Sequence, residues 1–132
     1  MTPLRPRPKD TIPLKVRTLV KDRDYGLCVH CSRPADHIHH RRLKGDGGDM
    51  RPHTDCCCNL VCVCWLCHSW AHAERTESEP EGLIIPRVTL RPGQISVALH
   101  GFEDGGGAEA WPSCDGEWLD YEPGSPGPDG AA

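Results

Sequence analysis

The chain has 132 residues, of which only 24 are Leu, Ile, Val or Phe, against 9 Cys, 8 His, 14 Gly and 13 Pro. So few aliphatic residues rarely bury enough surface to offset the entropy lost on ordering a chain. No apolar run approaches the length of a membrane span or of a signal sequence, so we expect a cytoplasmic protein and neither a membrane nor a secreted one. The odd number of cysteines disfavours a disulfide framework, and bound metal is the better expected source of stability.

The formal net charge of -4 divides unevenly along the chain. Up to Arg75 there are 13 Lys and Arg against 8 Asp and Glu, a balance of +5; from Thr76 on there are 2 against 11, a balance of -9. The two balances sum to -4. If the protein binds a polyanion, we expect the first part to bind it.

The predicted elements define four regions. Residues 1–13 form a basic, proline-rich, extended arm. Residues 14–75 form the main domain, with a helix over 14–25 closed by Gly26, a strand within 36–42, a strand over 59–64 and a helix over 65–75. Residues 76–121 form an acidic extension with short strands over 83–90, 94–99 and 117–121. Residues 122–132 are predicted to be a disordered tail.

Two cysteine pairs have the spacing of zinc ligands. Cys28 and Cys31, and Cys64 and Cys67, each place two thiolates in one tight turn, so the four predict one structural zinc site. They enclose a 32-residue insert that contains several histidines. The other cysteines are interpreted as small, partly buried side chains, although the cysteine-rich run before Cys64 leaves an additional or shifted metal site open.

The histidines form a second constellation. His39 and His40 are adjacent in a predicted strand, so their side chains point to opposite faces. His68 and His72 are four residues apart on a predicted helix, a spacing suited to binding one divalent ion. Asn59 lies where its amide could brace the loop or orient a histidine.

These motifs together resemble the HNH endonucleases. The matching residues, over about 24 to 75, are Cys28-Val29-His30-Cys31, Ile38-His39-His40-Arg41, Asn59-Leu60-Val61, Cys64-Trp65-Leu66-Cys67-His68 and His72. The order and spacing are similar to the zinc-containing branch of the family, and in particular to small nucleases encoded by bacteriophages.

The resemblance implies a small α+β fold with a ββα-metal (His-Me finger) motif held by the four-cysteine zinc site, plus short C-terminal strands. It implies that His39, His68 and His72 ligate a catalytic divalent metal (Mg, Mn, Ni or Zn), that His40 is the general base, and that Asn59 holds the loop over the site. It implies a phosphodiester hydrolase acting on DNA in the host cytoplasm, with the phage terminase large subunit as a further partner.

Several alternatives stay open. Asp36 and His37 could supply the ligand and the base instead of His39 and His40. The protein could be a restriction or homing nuclease, or a non-catalytic zinc module that binds nucleic acid or protein.

We expect Trp65 and Trp70 to be buried against the cysteine knuckle. Phosphate contacts are predicted for Arg41, Arg42, Lys44 and Arg51.

Overall fold

The computed structural model describes residues 12–43, 51–100 and 108–123. Lys44 and most of the predicted arm and tail lie outside these residues. The described chain is a small mixed α/β structure with two small antiparallel sheets. None of its described helices is both long and apolar enough to cross a bilayer. The helices are α1 (Leu14–Arg23), α2 (Trp65–Ala73) and α3 (Arg75–Ser78); the strands are β1 (His37–His40), β2 (Leu60–Val63), β3 (Val97–Leu99), β4 (Ala108–Pro112) and β5 (Trp118–Leu119).

The first sheet pairs β1 with β2, and α2 follows β2 directly. The register places His37 opposite Val63 and His40 opposite Leu60. Helix α1 ends before Tyr25 and Gly26, which both have positive φ, so the predicted closure at Gly26 agrees with the observed turn. The predicted strands within 36–42 and 59–64 and the predicted helix from Trp65 correspond to β1, β2 and α2.

Both faces of this sheet are covered. Alternation along β2 directs Val61 and Val63 into one cluster and Leu60 and Cys62 into the other. The first cluster also contains Cys28, Cys64 and Cys67 of the predicted zinc site, together with Leu83, Ile84 and Val97. Residues beyond Thr76 therefore contribute to the same core as β2. The second cluster packs β2 against α1 through Val20.

The predicted strand over 83–90 is wrong. Its first residues are buried, but their amides bond outside any ladder, with the Ile85 amide donating to the Arg41 carbonyl at 3.0 Å. Pro86 then begins a turn in which the Thr89 amide donates back to the Pro86 carbonyl. The second sheet, in the order β3-β4-β5, instead includes β4, which follows a glycine-rich segment and has few typical strand formers.

Candidate metal centres and the histidine site

The predicted four-cysteine cluster is confirmed. Cys28 and Cys31 lie in a turn closed by the Ser32 amide, which donates to the Cys28 carbonyl at 2.9 Å. Cys64 is the N-cap of α2 and Cys67 lies in its first turn. All four Sγ atoms are within 4.8 Å of one another, so the group could hold a metal ion such as zinc.

The separation of the two halves fits one ion. The Sγ atoms of Cys31 and Cys64 are 3.5 Å apart. This distance is close to the S···S edge of about 3.8 Å in a tetrahedron with Zn–S bonds of about 2.3 Å. Cys62, the rival ligand on β2, points away from this group, and its thiol lies against the Val20 carbonyl of α1.

Three predicted metal-ligating histidines converge between β1 and α2. Ligand atoms of His39, His68 and His72 are all within 4.8 Å of one another. The ring centroids of His68 and His72 are 4.7 Å apart, and that of His39 is 5.1 and 5.3 Å from them. His39 is buried, His68 is half-buried and His72 is exposed, so the group opens to solvent on one side.

The environment of these rings favours their neutral form. Burial lowers the pKa of His39 to about 3. Burial also lowers the pKa of His68, and burial together with nearby Arg75 lowers that of His72. Neutral imidazoles have a lone pair to offer, as metal ligands require.

A backbone carbonyl orients His39. Its Nε2 lies 2.5 Å from the Leu83 carbonyl oxygen, which can only accept, so Nε2 carries the proton. The Nδ1 atom therefore has the lone pair. Metal-binding histidines commonly donate their second ring nitrogen in this way. Leu83 is a positioning residue that the sequence did not indicate, since its backbone and not its side chain makes the contact.

The alternative pair Asp36 and His37 is placed differently. Their side chains are 55% and 46% exposed and lie 3.9 Å apart. Asp36 is not in the three-histidine group. The His37 ring stacks on His68 at 5.0 Å between centroids, so it borders the group.

His40 lies on the other face of β1 from His39. Its Nε2 is 2.8 Å from Oδ1 of Asp55, and its side chain is 16% exposed. It lines a cavity of about 540 Å³ together with His37 and with Arg17 and Lys21 of α1. Asp55 was not among the sequence candidates, because only the folded loop brings it to His40.

Asn59 is fully buried and braces the loop that precedes β2. Its Oδ1 accepts from the Arg42 amide at 2.8 Å, and its Nδ2 donates to the Thr54 carbonyl at 2.9 Å. The side chain thus joins the end of β1 to residue 54, next to the Asp55 that contacts His40.

The predicted phosphate contacts of Arg41 and Arg42 are wrong. Both side chains are fully buried. Arg41 donates to the carbonyls of Gly82, Cys58, Pro92, Ile95 and Ser96, and Arg42 donates to the carbonyls of Thr89 and Pro52 and to the Thr54 hydroxyl. Their donors therefore supply hydrogen bonds to loop carbonyls in a buried setting, where a carbonyl without a partner is costly.

The remaining residues for which the sequence predicted a contact lie in three different environments. Arg51 lies at the surface and donates to the Arg87 carbonyl. Trp65 is 58% exposed, contrary to the expected burial, because it begins α2 on the side away from the core. Trp70 is partly buried and stacks on His30 of the knuckle with centroids 4.6 Å apart.

Comparisons with protein-family models, with curated proteins and with solved structures find no match for this chain.

Proposed function

We propose that the chain is a metal-dependent DNA endonuclease of the HNH type, with β1, β2 and α2 as its ββα-metal unit. The observation that carries this proposal is the convergence of His39 from β1 with His68 and His72 from α2. Three protein ligands leave coordination positions open, as catalytic metal sites require, whereas structural zinc sites are closed by four.

The donor set favours some metals over others. Three imidazole nitrogens suit Zn²⁺ or Ni²⁺ better than Mg²⁺, which prefers oxygen ligands. A divalent ion bound there would stabilise negative charge on the phosphate oxygens and on the departing 3′ oxygen. The structural zinc would be held separately by Cys28, Cys31, Cys64 and Cys67.

His40 is the proposed general base. Its contact with Asp55 fixes the ring, much as a carboxylate orients the histidine of a catalytic triad. His40 takes a proton from water, the water oxygen bonds to phosphorus, the bond from phosphorus to the 3′ oxygen breaks, and the 3′ oxygen takes a proton from a solvent water. The products are 5′-phosphate and 3′-hydroxyl ends.

A revised set of phosphate contacts follows from the burial of Arg41 and Arg42. Arg17 and Lys21 line the same cavity as His37 and His40, and the cavity also reaches Cys62 of β2. Two cationic side chains beside the proposed base suit a DNA backbone, while the acidic residues after Thr76 would disfavour DNA elsewhere.

A plasmid-nicking assay tests the proposal. The purified chain is incubated with supercoiled DNA and Mg²⁺, Mn²⁺, Ni²⁺ or Zn²⁺; we expect cleavage by the wild type and by His37→Ala, and none by His40→Ala of equal zinc content. Cleavage by His40→Ala but not by His37→Ala would assign the base to His37. Intact plasmid with every metal would favour the rival function, a non-catalytic zinc module, which the structural use of Arg41 and Arg42 also suits.

A phage origin and a terminase partner rest on the sequence resemblance alone. Co-purification with a terminase large subunit would support them, and cleavage at one strict recognition sequence would favour a restriction or homing nuclease instead.

A further inference from the structure

A second group of zinc-type side chains lies apart from the sites described above. It consists of His53, Cys56, Cys58 and Cys114, whose ligand atoms are all within 4.8 Å of one another. The Nδ1 atom of His53 is 3.7 Å from Sγ of Cys58 and 3.6 Å from Sγ of Cys114.

These distances fit a tetrahedral metal site. With Zn–S bonds of about 2.3 Å and Zn–N bonds of about 2.0–2.1 Å, the S···N edge of the tetrahedron is about 3.6 Å. Hydrogen bonding explains the arrangement less well, because Nδ1 has either one lone pair or one proton and faces two sulfurs. One ion at the centre would satisfy all four ligand atoms.

The local chain alternates its three consecutive cysteines between two environments. Cys56 is extended and precedes the short 3-10 helix Cys57–Asn59. Cys56 and Cys58 join the group, whereas Cys57 points into the cluster packed against α1. Cys57 is therefore a matched control, since it has the same chemistry and adjoins both proposed ligands in the chain.

The fourth ligand comes from a distant part of the chain. Cys114 lies in the exposed turn between β4 and β5, which is closed by the Ser113 amide donating to the Glu117 carbonyl at 2.8 Å. The neighbouring backbone packs closely: a Cβ on Gly93 would lie 2.8 Å from the Pro112 carbonyl oxygen and 3.3 Å from Cβ of Cys58. This close approach brings the turn to the loop.

We propose that His53, Cys56, Cys58 and Cys114 form a second structural zinc site. Its four protein ligands complete a tetrahedron and leave no position for substrate, so its role is to join the loop over 53–58 to the β4–β5 turn. The same loop contains Thr54 and Asp55, which contact Arg42 and His40. The site requires no part of the nuclease proposal, and it would exist equally in a non-catalytic protein.

Zinc stoichiometry tests the site. All variants carry His72→Ala, so that the three-histidine group does not contribute, and zinc is counted per chain after gel filtration. We expect two zinc ions in the parent and in Cys57→Ser, one in Cys114→Ser, and two again in Cys114→His, where a nitrogen replaces the sulfur. Cys114 is exposed, so its substitution leaves no core cavity. One zinc ion in the parent, or two in Cys114→Ser, would overturn the proposal.

Thiol alkylation gives a second measurement on the full chain without substitutions. We expect Cys56, Cys58 and Cys114 to resist iodoacetamide in the zinc-loaded protein and to react after chelation. Rapid alkylation of exposed Cys114 in the zinc-loaded protein would overturn the site. A disulfide among these three cysteines in zinc-loaded protein purified under reducing conditions would also overturn it.

Discussion

Substitution of Arg41 by methionine tests whether the role of this residue is structural or DNA-binding. The Arg41 guanidinium is fully buried and donates to five loop carbonyls, at 2.6 to 3.3 Å. Met fills a similar volume but donates no hydrogen bond, so these carbonyls lose a partner in a buried setting. The loops concerned come from residues 58 to 96, so one side chain holds several otherwise irregular segments together.

The magnitude follows from opposing contributions. A hydrogen bond to a charged group contributes about 1.5–3 kcal/mol, but five bonds from one side chain are not additive. Burial of the guanidinium offsets part of the gain, and the same burial lowers the pKa of Arg41 to about 9. We therefore expect Arg41→Met to reduce the free energy of unfolding by about 3–5 kcal/mol. That is a large fraction of the stability of a small domain.

Urea denaturation at saturating zinc measures this change, with tryptophan fluorescence as the signal. Arg33→Met is the matched control, because Arg33 is exposed and its loss should change the free energy of unfolding by less than about 0.5 kcal/mol. Two results together would refute the structural assignment. Arg41→Met would have the same free energy of unfolding as the wild type, and the salt dependence of its DNA affinity would decrease by the amount expected for the loss of about one phosphate contact.

Three further predictions concern single contacts. Asn59→Ala leaves the Arg42 amide and the Thr54 carbonyl without their partner, so unfolding in urea should require about 2–4 kcal/mol less; an unchanged midpoint would contradict the bracing role. Cys67→Ser should remove the zinc of the four-cysteine site and abolish cooperative thermal unfolding, whereas a zinc-free variant with an unchanged melting curve would contradict a structural site. Asp55→Asn should slow plasmid cleavage about 10–100-fold with DNA affinity unchanged, if Asp55 orients His40 as proposed; equal cleavage rates would show that it does not.

The elements around the histidines were predictable because their residues follow short-range rules. Each Cys-x-x-Cys pair needs only one tight turn, and His68 and His72 share a helical face by spacing alone. The strand Leu60–Val63 was recognisable from its β-prone residues. The convergence of β1 and α2 then follows from joining β2 directly to a helix.

The burial of Arg41 and Arg42 could not be predicted from the local sequence. An Arg beside two histidines in a basic segment has the same signature whether it contacts phosphate or is buried. The deciding partners of Arg41 are backbone carbonyls from 17 to 55 residues away, and carbonyls are identical at every position. Irregular loops over 82–96 leave such carbonyls without strand partners, and only the folded chain shows which donors reach them.

Long-range pairing also explains why the sequence left an additional metal site open without assigning its ligands. His53 and Cys114 are 61 residues apart, and Cys56 and Cys58 have a one-residue spacing without the two-residue repeat typical of zinc knuckles. A sequence-level signal did exist, namely three thiols in succession in a chain with few aliphatic residues. It indicated more potential metal ligands than one zinc site needs, but not which ligands belong to which site.

The shortage of aliphatic residues has a specific consequence for how this chain is stabilised. Besides its hydrophobic clusters, metal-type clusters and buried arginines link distant parts of the chain: Cys31 to Cys64 over 33 residues, Arg41 to Ile95 over 54 and Cys114 to His53 over 61. A structural zinc site contributes an apparent 10–16 kcal/mol at pH 7 in small domains, as much as the whole net stability of an ordinary domain. Metal removal should therefore destabilise this protein more than any single substitution in its aliphatic core, where even a large-to-small change costs about 2–5 kcal/mol.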